Sequence, residues 1–465
     1  MADRRKAPSK PQKRTRFRSR AERIEAGKQL RVELPRTVQA TWKSPRKRRD
    51  PLEILEESNK GRIKELIPVR YGRMLGSPFT FLRGSAALMA YDLASLPHTG
   101  IHVQACGDCH LLNFGAFATP ERNLVFDIND FDESLPAPWE WDVKRLATSF
   151  VIACRDRKFS DTEGEAAAIE CVRAYREQLR EYSRMSPTEV WYARLDMQSL
   201  IEMAPDRETR KRRESFATKA RRRVIENVFP QIAGKVGARH RFVDQPPLFY
   251  HEDTGPDAEE RWLEGFAAYR ASLPDERRVL IDRYRLEDFA LKVVGIGSVG
   301  TRCAVALLVS EEDHPLVLQI KEAGRSVLEP YAKASPYENQ GQRVVVAQRL
   351  MQSSSDIFLG WARAPRGHDI YVRQLRDMKF SVPVEAATAD GLVRYAEICG
   401  WSLARAHAKS GDAATISGYL GKSDAFDRAM GSFALAYADQ TERDYAALVR
   451  AEKSGRIQAL REEEL

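Results

Sequence analysis

Asp108, His110 and Asn113 lie close together in the run Gly107-Asp108-Cys109-His110-Leu111-Leu112-Asn113. A carboxylate and an amide oxygen on one loop meet the needs of phosphoryl transfer. The carboxylate orients an acceptor hydroxyl and takes its proton, and oxygen ligands hold Mg2+ beside the phosphates. The same run contains Cys106-x-x-Cys109-His110, the spacing that attaches a c-type haem. One loop does not serve both. The haem reading uses three residues, and no apolar segment follows the charged N-terminus to mark export to an oxidising compartment. A zinc site lacks a second Cys/His pair at usable spacing. Phosphoryl transfer gathers more of the chain.

Two further stretches belong with it. Gly295-x-Gly297-x-x-Gly300 sits between β-like runs, in VVGIGSVGTRCAVALL. In a dinucleotide-binding fold this fingerprint opens a helix, but CAVALLVS is strand-like, so the spacing predicts a strand-turn-strand whose backbone covers nucleotide phosphates. Lys321 follows on the next apolar run, LVLQIKEA, and a lysine there is costly unless it meets an anion. Downstream of the loop, VFDINDFDE alternates Leu124, Phe126 and Ile128. This pattern predicts a strand with one buried face, continued by Asp130. Asp130 is then the second metal carboxylate and Asp127 the alternative.

The motifs GDCHLLN, VFDINDFDE and WEWDVKRL resemble the G-D-x-H-x-x-N, I-D-F and W-D-x-x-R sequence of aminoglycoside phosphotransferases and related small-molecule kinases. From about residue 50 to 440, including FLRGSAALMAYDL and GQRVVVAQRLMQSSSDIFLGW, the chain resembles a bacterial family of uncharacterised proteins grouped with the protein-kinase-like superfamily. The resemblance implies ATP and Mg2+ as cofactors. It implies Asp108 and His110 as catalytic residues, Asn113 and Asp130 as metal ligands, and Gly295, Gly297, Gly300 and Lys321 as nucleotide-binding residues. It places Asp142 and Arg145 on a helix that buttresses the catalytic loop; read from spacing alone they are a surface i,i+3 ion pair. Two departures stand out. The catalytic loop precedes the glycine loop, so the lobe order is circularly permuted. The helix after Lys321, ENQGQRVVVAQRLMQ, has no central glutamate to pair with the lysine, leaving Glu338, Gln342 and Gln348 as polar candidates.

The expected fold is therefore α+β and two-lobed. Residues 1–50 form a basic, disordered tail, and 51–285 a helical lobe with the catalytic loop and metal-binding strand. Residues 286–380 form a β-rich nucleotide-binding lobe ending in the hinge-like YVRQLRDMK, and 381–465 are helices returning to the first lobe. The expected activity is phosphoryl transfer to a hydroxyl of a small molecule; nucleotidyl (AMP) transfer and a nucleotide-binding pseudokinase acting as an interaction module are the alternatives. Hydrophobic content of 43% and charged content of 30% fit a globular chain. Residues 1–50 hold 18 Lys and Arg against 5 Asp and Glu, while the remaining 415 hold 57 against 61. The basicity is thus terminal and could meet nucleic acid or an acidic partner. A second basic run, Arg207 to Arg223, reads as a solvated helix face. Residues 230–260 read as a loop, and Phe81 to Leu96 as one helix. Cys154, Cys171, Cys303 and Cys399 read as buried free thiols, which suits a reducing, cytoplasmic setting. No run long enough for a membrane span is present.

Overall fold

The computed structural model describes residues 18–461 apart from 238, 247–248, 252–254, 256, 294 and 376–377. Residues 1–17 of the basic tail thus lie outside the described residues, as do Arg376 and Asp377 of the hinge-like stretch. The architecture is α+β. Its largest sheet has six antiparallel strands, in the order Gly360–Arg363, Asp369–Gln374, Pro315–Glu322, Cys303–Val309, Arg285–Lys292, Phe249–Tyr250. The two strands flanking the glycine loop pair with each other, as their β-like composition predicts, so the fingerprint opens no long helix. The helix Gln340–Met351 connects two strands of this sheet and lies against it.

A helical body carries the rest. Its centre is the helix Trp139–Asp156, buried from Trp139 to Cys154 and packed against Asp161–Tyr182 and Ala425–Lys453. Neighbours cover every face of it, so that even Glu140, Asp142, Lys144 and Arg145 are buried. Ahead of it two short antiparallel pairs, His102–Ala105 with Leu135–Pro138 and Phe114–Ala118 with Leu124–Ile128, frame the Gly107–Asn113 loop. No helix among the described residues is long and apolar enough to cross a membrane.

Several expectations change. The body does not start at residue 50. Ser19 caps a helix, Arg20–Glu33, with a reciprocal capping box to Glu22, and Trp42 is buried. This helix lies so close to Ala413–Leu420 that a Cβ at Gly27 would sit 2.0 Å from the Thr415 carbonyl oxygen. Residues 233–242, read as loop, contain the hairpin Ala233–Val236 and Arg239–Phe242. Ile225 and Phe242 pack with Val305 and Val317, so the neighbourhood of the sheet reaches back well before residue 286. The helix expected over Phe81 to Leu96 is broken at Ser85 into Pro78–Gly84 and Ala86–Ala94. The strand Leu124–Ile128 is buried on both faces, because the helix Ala389–Ser410 covers the side expected to face solvent. The run Arg207–Arg221 is a helix with Ala217 and Ala220 turned inward and its cations exposed except Arg213, which donates to the Leu200 carbonyl.

Candidate functional site

The Gly107–Asn113 stretch forms a tight turn held from behind. Gly107 has φ +78°, and a Cβ there would lie 2.3 Å from the carbonyl oxygen of Glu133, so glycine is required. The Asp142 carboxylate accepts the main-chain N–H of Cys106 at 2.6 Å and of Gly107 at 3.0 Å. It also meets His407 Nε2 at 3.2 Å, and Tyr175 meets the other ring nitrogen at 2.9 Å. One turn further along the same helix, Arg145 donates through Nε to Asp108 Oδ1 at 2.8 Å and through its terminal nitrogen to the Leu82 carbonyl at 2.9 Å. Asp142 and Arg145 are 1% exposed, so the surface ion pair allowed by their spacing does not exist. Both aim at the loop.

Asn113 donates its amide N–H to the main-chain carbonyl of Asp108 at 2.7 Å. This holds the side chain, and Asn113 is among the residues that line the cavity described below. His110 is buried, its Nδ1 has no hydrogen-bond partner, and burial pulls its pKa down to about 3. The ring is neutral near pH 7, with Nε2 3.8 Å from Asp108 Oδ2.

Asp130 lies just past the strand Leu124–Ile128 and accepts the Asp132 N–H at 3.2 Å. Burial pushes its pKa up, but Lys321, Arg373 and that N–H outweigh it, so the carboxyl titrates below its ordinary range. Asp127 has another fate. Fully buried, it is bonded by Arg405 at 2.6 Å and by the N–H and hydroxyl of Ser353 at 2.8 Å. Every approach to that carboxylate is taken by protein, so Asp127 joins strand to helix and is no metal ligand candidate.

Lys321 is 3% exposed and pairs with the Asp132 carboxylate, which also accepts the Tyr371 hydroxyl at 2.5 Å. Burial disfavours the ammonium, yet Asp132, Tyr371 and Asp130 hold its pKa well above the ordinary value. Sequence reasoning sought the lysine's partner on the following helix. That helix instead presents Arg343, which donates to the carbonyls of Ser134 at 2.6 Å, Asp132 at 2.8 Å and Gly324 at 2.9 Å. The carboxylate comes from Asp132, and the helix fixes the turn that carries it. The legible signal was Asp132 itself, a further carboxylate two residues past Asp130 in VFDINDFDE.

The glycine loop closes the site. Arg62 donates to the Val299 carbonyl at 2.5 Å and the Gly297 carbonyl at 2.9 Å, and the Ile63 N–H meets the Gly300 carbonyl at 2.7 Å. Ile296 is buried among side chains that include Tyr71, Met74, Phe81 and Leu88. Arg62 was another residue missed from sequence, since nothing in its own context marks it. A cavity of about 490 Å3 is lined by Asp108, His110, Asn113, Asp130 and Lys321 together with Gly295 and Gly297. Gly300 stands outside that lining, its φ of +84° turning the chain beside Arg62.

Cys106 and Cys109 lie with Asp142 in a buried group whose ligand atoms are within 4.8 Å of one another. Asp142 is committed to the loop's N–H groups, and burial pushes the Cys109 thiol up to about 12. All six cysteines are buried and free, as expected for the four assigned from their apolar context.

Residues 62–451 match the family described as "Uncharacterized protein conserved in bacteria (DUF2252)", and the chain belongs to that family. Neither the curated proteins nor the solved structures gave a match.

Proposed function

We propose that this member of an uncharacterised bacterial family is an ATP- and Mg2+-dependent phosphotransferase acting on a hydroxyl of a small molecule, and that its fold is two-lobed and protein-kinase-like with permuted lobe order. The observation that carries the proposal is convergence. Asp108, Asn113 and Asp130 meet Lys321 and the glycine loop in one cavity, although the two groups come from separate regions of the chain. The sheet gives further support: a glycine-loop hairpin, a lysine-bearing strand, a helix, and two more strands follow in the order of a kinase's small lobe.

ATP is the co-substrate. Lys321 anchors its phosphates, and the loop backbone from Gly295 to Ser298 covers them. The Asn113 carbonyl oxygen and the Asp130 carboxylate form an all-oxygen donor set that fits Mg2+. Bound there, Mg2+ supplies neutralisation of charge on the β- and γ-phosphates. Arg145 fixes Asp108 through Oδ1, which leaves Oδ2 to orient the acceptor hydroxyl and receive its proton. The neutral His110 beside it adds no competing positive charge.

The test is incubation of the purified protein with Mg2+, a small-molecule extract and ATP labelled at either the γ or the α phosphate. Transfer of the γ label alone is the expected result. Transfer of the α label identifies nucleotidyl transfer instead, and transfer of neither, with ATP still bound, identifies a nucleotide-binding module.

A further inference from the structure

Arg83, on the helix Pro78–Gly84, lines the same cavity as Asp108 and Asn113. Its Nε is buried and has no hydrogen-bond partner. No carboxylate among the described residues pairs with the guanidinium, because those that share the lining are engaged elsewhere. Asp108 is held by Arg145, Asp132 by Lys321, Glu322 by Arg302 and Glu57 by Arg49. Asp130 and Glu133 accept the N–H groups of Asp132 and Val327. The neighbouring arginines differ from Arg83: Arg62 donates to the Gly297 carbonyl at 2.9 Å and Arg70 to the Gly84 carbonyl at 2.8 Å. Burial draws the pKa of Arg83 below the ordinary value, against the pull of Asp108 and Glu385.

A desolvated guanidinium with no bonded partner is costly, and a bound anion would offset that cost. The position of Arg83 says which anion. Asp132 and Asp130 are the carboxylates that act on Lys321, at the end of the cavity assigned to the phosphates. The chief charges acting on Arg83 are instead Asp108, Glu385 and Arg73. A Cβ at Gly297 would lie 3.5 Å from the Arg83 carbonyl oxygen and 3.9 Å from Asp108 Oδ2, so the Arg83 main chain and the proposed base meet beside the glycine loop. We propose, resting on the phosphotransferase reading, that the acceptor is a hydroxylated anion, and that Arg83 binds its carboxylate or phosphate group while Asp108 Oδ2 meets its hydroxyl. The planar guanidinium suits either oxyanion. In the transfer the acceptor oxygen bonds the γ-phosphorus, the bond from that phosphorus to the β,γ-bridging oxygen breaks, ADP leaves, and the hydroxyl proton passes to Asp108. Arg83 only holds the acceptor.

The test uses a bacterial small-molecule extract, freed of nucleotides on charcoal and split by ion exchange into anionic, neutral and cationic fractions. Binding to the full-length protein is read without ATP, as a rise in melting temperature. Transfer is read with Mg2+ and γ-labelled ATP. Only the anionic fraction is expected to raise the melting temperature and to take the label. Phosphatase treatment of that fraction beforehand separates the two sources: a carboxylate acceptor keeps its response, and a phosphate acceptor loses it. Arg83→Gln should abolish the melting response and need about 10- to 100-fold more of the fraction for half-maximal labelling. Arg83→Lys, which keeps the charge but not the fork, should fall between. Neither variant should melt below the wild type or lose Mg·ATP affinity, as an arginine with a structural or a nucleotide-binding role would require. If the anionic fraction binds through Arg83 and no fraction is labelled, the anion site stands and the phosphotransferase reading fails. Label in the neutral or cationic fraction alone overturns the inference and leaves that reading intact. No melting response to any fraction, a full response in Arg83→Gln, or loss of its Mg·ATP affinity would also overturn it.

Discussion

At the scale of single residues, the proposed phosphoryl transfer gives two carboxylates around one cavity different work. On that proposal Asp108→Ala removes the proton acceptor and is expected to lower turnover about 10²–10⁴-fold, roughly 3 to 5.5 kcal/mol at the barrier. Mg·ATP affinity should stay near normal, as read by calorimetry. Asp130→Ala should lose metal-dependent nucleotide affinity and turnover together. A loop with a purely structural role would lose both properties in both variants. A second pair of residues sets opposed pH dependences. The folded-state pKa of His110 is depressed to about 3, so between that value and its unfolded value near 6.5 the unfolded chain binds more protons, and stability falls as pH falls. Glu133 is raised to about 7 by burial; between its unfolded value near 4.5 and 7 the folded chain binds more protons, and stability rises as pH falls. Their slopes cancel over much of pH 5 to 6.5. Chemical denaturation across that range should therefore show His110→Gln gaining on the wild type by about 2 kcal/mol toward pH 5, while Glu133→Gln loses ground. Parallel curves for all three proteins would refute this account.

At the scale of elements, the glycine loop separates stability from binding. A Cβ at Gly297 would lie 3.5 Å from the Arg83 carbonyl oxygen and 3.9 Å from Asp108 Oδ2, ordinary contacts that nonetheless occupy the space the proposed ATP phosphates need. Gly297→Ala should keep its melting temperature and lose ATP affinity. Gly300→Ala must place a side chain at φ +84° against Arg62 Cβ at 3.1 Å, and should cost about 1–2 kcal/mol of stability. The strand Leu124–Ile128 makes a related contrast. Asp127→Ala strands Arg405 in the core and should cost about 3–5 kcal/mol in denaturant titration, whereas Asp130→Ala should unfold near the wild-type midpoint. How legible these elements were followed from what the signals report. Local pattern marked the strand-turn-strand at the glycine loop and the motif residues that line the cavity. Alternation of Leu124, Phe126 and Ile128 said nothing of the second face, because a helix from much later in the chain covers it. The lysine's partner was invisible to any rule about the following helix, since Arg343 serves the turn and Asp132 supplies the charge. Arg62 reaches the loop from a distant part of the sequence, and no spacing announces such a contact.

At the scale of the whole molecule, residues once assigned to a tail help hold the body together. Composition marked the N-terminal segment as basic, but charge density does not distinguish a solvated arm from cations that each have a buried partner. Arg48 makes the difference. Its guanidinium bonds Asp92 at 2.7 Å and Asp444 at 2.7 to 2.8 Å, joining the N-terminal segment, the helix Ala86–Ala94 and the long helix Ala425–Lys453. The three side chains are 7%, 0% and 5% exposed. Tyr437 adds a hydrogen bond to Asp92 at 2.8 Å, and Trp42 packs edge-on against the same tyrosine with ring centroids 4.9 Å apart. Burial already pushes the Asp92 carboxyl up, even with the arginine in place. Arg48→Met keeps the aliphatic stem and removes the charge, leaving two carboxylates in a buried site with no cation between them. The expected cost near pH 7 is about 3–5 kcal/mol, read as a lower denaturation midpoint with an unchanged slope. The cost should also depend on pH in a definite sense. Without the arginine, at least one carboxyl has a folded-state pKa far above its unfolded value, so the folded variant gains protons as pH falls and recovers stability relative to the wild type. The difference between the two proteins should be largest near pH 7 and shrink steadily toward pH 4. A difference independent of pH would mean that Arg48 acts by packing alone, and an undiminished midpoint would mean that the N-terminal segment does not clamp these two helices.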